Sequence, residues 1–186
     1  RLLGGKWIAA AVSAAATLRI PDALADGPLS LAALADRVDS DAPALERLLR
    51  VLHGERLVTR NRDSTYQLTA DGHLLRSGRL GELAQFIGTP FGWDPWPRLP
   101  HAVRTGEAAF AAQHGIGLFD YLDQPERSDE AELYHAAIDS FSPDESRPLA
   151  QPLDFSAYHR VPDSGGGRRA LPVAGLYWRR TPDGVP

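Results

Sequence analysis

The order of caps, apolar spacings and turn residues between Ser30 and Arg76 constrains the fold more than any other part of the chain. Ser30 stands before Leu31, Leu34, Ala35 and Val38, which fall on one helical face, so its hydroxyl is placed to cap a helix over 31–38. Asp41 offers a second cap and Pro43 suits the first turn behind it. Leu45, Leu48, Leu49 and Leu52 carry that second helix to about Glu55. The period then changes. Leu57–Arg60 and Thr65–Leu68 read as two short strands around the turn Asn61-Arg62-Asp63-Ser64, and Thr69 caps a short helix through Leu75. Helix, helix, hairpin is the winged-helix arrangement, and three kinds of local signal agree on it in order.

The flanks are helical. Residues 3–20 carry Leu3, Trp7, Ile8, Ala11, Val12, Ala15, Ala16 and Leu18 with hardly any charge, which predicts a helix buried on most faces. Residues 80–141 read as helices broken at Pro90–Pro100 and around Gly115. From 143 on, seven prolines and five glycines fall in 44 residues, so an extended or loosely packed tail is expected. The expectation is a mainly α protein. Residues 1–142 form a helical domain containing the winged-helix module, and residues 143–186 form a Pro/Gly-rich tail.

Composition narrows the functions. Without cysteine there is no disulfide and no thiolate chemistry, and the histidines show no tight metal spacing, so no metal is expected. No run of 18 apolar residues occurs, and a formal charge of -4 argues against nucleic acid and anionic membranes. Between Ser30 and Arg76, seven acids offset seven arginines, whereas a groove-reading winged helix needs a basic face. The default location is cytoplasmic. The aromatics Phe91, Trp93, Trp96, Phe110 and Phe119 cluster in a proline-rich bend, which suits a pocket for a planar aromatic small molecule and equally suits ordinary core. His101 and His114 lie in the same segment and are the candidates for a general base, each also readable as a structural histidine. Near the C-terminus, Val161-Pro-Asp-Ser-Gly165-Gly166-Gly167 reads as a strand turning into a helix, the form of a nucleotide-cofactor loop. Pro162 interrupts that strand, Arg169 occupies a further glycine position, and 19 residues follow Gly167, against the roughly 100 of a cofactor domain.

Several segments resemble the S-adenosylmethionine-dependent O-methyltransferases of bacterial aromatic polyketide pathways. The matching stretches are Ile20-Pro-Asp-Ala-Leu-Ala-Asp-Gly27, Ala44–Arg50, Tyr66–Thr69, Val103-Arg-Thr-Gly-Glu107 with Ala109-Phe110, Phe119-Asp-Tyr121, and Asp154-Phe-Ser156 followed by Val161, Asp163 and Gly165–Gly167. The resemblance implies a helical dimerisation domain, a homodimer in which the partner's first helix helps close the active site, and S-adenosylmethionine held by a Rossmann-like domain. It places Phe91, Trp93, Trp96, Phe110, Phe119 and Trp7 with the substrate, and makes Asp163, Gly165 and Gly167 a vestigial cofactor entry. The Rossmann-like domain is expected to be missing, so no cofactor is expected for the chain alone.

The resulting expectation is a truncated, methyltransferase-like protein of secondary-metabolite biosynthesis. It would be a homodimer that does not methylate on its own and that binds an aromatic compound or serves a pathway enzyme as accessory partner. Two other readings stay open. One is an enzyme, as a fragment or subunit of an O-methyltransferase or by cofactor-free chemistry in the aromatic pocket. The other is a winged-helix DNA binder.

Overall fold

The computed structural model describes residues 2–150, with side-chain surroundings for residues 2–140. A 3-10 turn, Leu2–Gly4, leads into α1 (Gly5–Thr17), and Pro21 starts the short α2 (Ile20–Ala23). After β1 (Leu29–Ser30) come α3 (Leu31–Arg37) and α4 (Ala42–Gly54). Both caps form where the sequence places them. The Ser30 hydroxyl accepts from the Ala33 N–H at 3.2 Å, and the Asp41 carboxylate accepts from the Ala44 N–H at 2.8 Å.

Strands β2 (Val58–Arg60) and β3 (Thr65–Leu68) pair antiparallel, with Val58 opposite Leu68 and Arg60 opposite Tyr66. Their turn is closed by the Asp63 carboxylate, which accepts from the Thr65 hydroxyl at 2.7 Å and from its N–H at 3.1 Å. Those bonds hold the Asp63 carboxyl below its usual range. β1 adds to the free edge of β3, giving the order β1-β3-β2. This third strand is not among the expected elements, because two residues carry no readable alternation. Thr69 accepts from the Gly72 N–H at 3.0 Å and starts a 3-10 turn, Gly72–Leu75, in place of an α-helix. A Cβ on Gly72 would lie 1.9 Å from the Leu57 carbonyl oxygen, so only glycine lets this turn close on the sheet. The core beneath joins Ala15, Ile20, Leu24, Leu34, Leu49, Leu52, Val58 and Tyr66.

The second half is a succession of short helices: α5 (Gly81–Ile87), α6 (Pro90–Trp93), α7 (Leu99–Thr105), α8 (Ala109–His114) and α9 (Leu118–Leu122). A longer helix, α10 (Ser128–Ala150), follows and packs on α5, which also packs on α1. The α1–α5 contact is close because Gly88 meets Ser13, where an added Cβ would lie 1.9 Å from the hydroxyl oxygen.

Two expectations need correction. α1 leaves its first turn open, with Trp7 75% exposed, and buries Ser13, Ala15 and Ala16 farther along. The helical run breaks across Pro90–Pro100 as expected, and two of these prolines also start the helices that follow. Pro90 starts α6 and Pro100 sits in the first turn of α7, where the missing N–H has no intrahelical partner to lose. The helical run also breaks at Gly106, whose φ of 78° belongs to glycine. α10 runs through residue 143, where an extended tail was expected to begin. The stretch Val161–Arg169, with Asp163, Gly165 and Gly167, lies outside the described residues.

Candidate functional site

Where α1, α5, α6 and α8 meet, they surround a cavity of about 720 Å³, within the size range of small-molecule pockets. α1 contributes Gly5, Lys6 and Ala9, and α5 contributes Phe86 and Ile87. The bend beyond contributes Phe91, Gly92, Trp93, Pro95, Trp96 and Pro97, and Phe110 and Leu118 complete the lining. Local chemistry explains the bend. The Thr89 hydroxyl accepts from the Gly92 N–H at 3.2 Å and caps α6, and the following prolines restart the chain in new directions.

Behind the lining stands a fixed aromatic cluster. The Phe86 and Phe91 centroids are 5.3 Å apart, and Phe91 stacks on Tyr121 at 6.2 Å. Tyr121 meets Phe110 edge-on at 5.4 Å, and the His114 ring lies 4.4 Å from Phe110 and 4.9 Å from Tyr121. The Arg127 guanidinium caps the Tyr121 ring at 4.6 Å and pairs with Glu130 at 3.2 Å. Burial pushes the Tyr121 phenol above its ordinary pKa of 10.0, and its hydrogen bond to the Glu130 carboxylate and the charge there act in the same direction. This cluster holds Phe86, Phe91 and Phe110, the three phenylalanines that face both core and cavity, in place.

The sequence-derived residues divide clearly. Phe91, Trp93, Trp96 and Phe110 converge on the cavity. Phe119 is 67% exposed, and neither it nor Trp7 is in the lining. The two histidines also lie off the lining. His101 Nε2 is 2.7 Å from a Glu107 carboxylate oxygen at the surface, and His114 is held in the aromatic cluster with its Nε2 buried and unpartnered. Sequence reasoning missed Lys6, Phe86, Ile87 and the contribution of α1. The available signal was that Lys6 is the single charged residue of α1. Among the described residues, no cluster of three or more His, Asp or Glu offers a metal site, and no helix is long and apolar enough to cross a membrane. A second groove of about 530 Å³ runs along α1 on a face lined by Leu2, Ile8, Val12, Leu75, Leu80 and Leu83.

Residues 1–77 match the family model described as the O-methyltransferase dimerisation domain. The chain is 33% identical over 164 residues to the 8-amino-8-demethylriboflavin N,N-dimethyltransferase of Streptomyces davaonensis, covering 87% of this chain and 47% of that protein. It is 33% identical to the 3-amino-4-hydroxybenzoate 4-O-methyltransferase of Streptomyces cremeus, covering 91% and 47%. The solved structure of mitomycin 7-O-methyltransferase superposes with a TM-score of 0.80 at 32% identity, covering 95% of this chain and 52% of that one. The chain thus spans about half the length of the relatives it matches. S-adenosylmethionine carries a sulfonium, an ammonium and a carboxylate, and the lining holds no acidic side chain to receive the two cations.

Proposed function

We propose that this chain supplies the dimer contacts and the substrate wall of a small-molecule methyltransferase of secondary metabolism, a reading supported by the match of residues 1–77 to the O-methyltransferase dimerisation domain model. The substrate proposed is a planar aromatic compound. The observation that carries this reading is the cavity itself, with two tryptophans and three phenylalanines around about 720 Å³ and a rigid aromatic cluster behind them. The relatives named above support it, since they act on ring systems according to their names. Methyl transfer would be a property of the chain together with a cofactor-holding domain. On its own, the part described here is proposed to bind the aromatic without transferring a methyl group.

The helix–helix–hairpin unit is proposed to be a winged helix used for packing. Its seven acids and seven arginines leave no excess charge for phosphate. The exposed Leu2, Leu3 and Trp7 are proposed to be covered by a second copy, making a homodimer. The test of ligand binding is tryptophan fluorescence titrated with a polycyclic aromatic, in the parent and in a Trp93→Ala, Trp96→Ala double variant. Quenching that saturates in the parent and weakens by about tenfold or more in the variant supports the reading, given the area each indole would bury. Equal binding by both proteins contradicts it.

A further inference from the structure

We propose that the cavity selects planar aromatics bearing a negative charge, a carboxylate or a phenolate, and that the Lys6 ammonium makes the selection. This rests on the aromatic-pocket reading above and adds the charge class of the ligand. Every other residue of the lining is apolar, aromatic, glycine or proline, so Lys6 is its one charged group. The ammonium lies over the Trp93 ring, 5.5 Å from its centroid, a cation–π contact with part of the lining. A flat ligand seated beside that ring would meet the charge at its rim.

Two features show that Lys6 is not there for the helix. It stands in the first turn of α1, where the helix dipole disfavours a cation. Among the described residues it makes no ion pair, and α1 has no acidic residue to offer one. The dipole adds positive potential at the same end of the helix, so the ammonium and the helix terminus favour the same ligand charge. The ammonium can donate a charge-assisted hydrogen bond to an anionic oxygen, and it repels a second cation.

The probes are 2-naphthoate and its neutral isostere 2-naphthamide, titrated into the purified chain and followed by tryptophan fluorescence. Lys6 is exposed, so its replacement leaves the core intact, which circular dichroism checks. The parent should bind the naphthoate about tenfold or more tightly than the naphthamide, the size expected of a hydrogen bond to a charged group. Lys6→Met should remove that preference by weakening the naphthoate alone, and Lys6→Arg should largely keep it. Equal affinity for the two probes in the parent, or an unchanged preference in Lys6→Met, overturns the charge selection and leaves the aromatic pocket standing. Failure of both probes to bind the parent overturns the pocket reading and this inference with it.

Discussion

Tyr121 links the core to the cavity wall, and its phenol gives the residue scale a direct test. Its pKa is raised above 10.0 by burial and by Glu130. Below pH 10 the folded and unfolded phenols are both protonated, and the group's full stabilising contribution is present. As pH rises further, the unfolded phenol loses its proton first, so that contribution is lost as the pH climbs toward the folded pKa. The melting temperature of the parent should therefore fall more steeply above pH 10 than that of Tyr121→Phe, which keeps the ring contacts with Phe91 and Phe110. Parallel profiles would show that the hydroxyl is not held as described. At this scale the sequence revealed which residue types matter but not which way they face. Trp93 and Trp96 were legible because prolines fix the bend around them. Trp7 and Phe119 were not, since their exposure depends on what their helices pack against, and no local spacing states that.

The elements were the most legible part, because caps and periods act over a few residues. Ser30, Asp41 and Thr69 cap where their side chains suggest. Asp41→Ala should cost about 1 kcal/mol in urea denaturation, as an orphaned N–H at the start of α4 loses its acceptor. The contact between α1 and α5 was not legible, since it depends on two small residues far apart in sequence. Gly88 sits against the buried Ser13, whose hydroxyl oxygen and Cβ would lie 1.9 and 2.6 Å from an added Cβ. Gly88→Ala should destabilise the protein by about 1–3 kcal/mol through overpacking. Because α1 carries Lys6 and Ala9 into the cavity wall, the same variant should also weaken aromatic binding. A neutral effect on both stability and binding would mean that α1 is not anchored at this point.

For the whole molecule, the exposed start of the chain is the feature that a single copy leaves unexplained. Leu2, Leu3 and Trp7 are 98%, 96% and 75% exposed, next to an apolar groove on the same helix. Trp7→Glu should convert a dimer to a monomer in light scattering at micromolar concentration, because a charge in that interface has no partner. A stable monomer in the parent would contradict the proposed assembly. The ligand is proposed to enter the cavity beside Lys6 and not the groove lined by Leu75, Leu80 and Leu83. Photoaffinity labelling with a diazirine-bearing naphthalene, followed by peptide mapping, decides this directly. Labels on Phe86–Pro97 and on the Lys6–Ala9 turn are the predicted result, and labels confined to Leu75–Leu83 would contradict it.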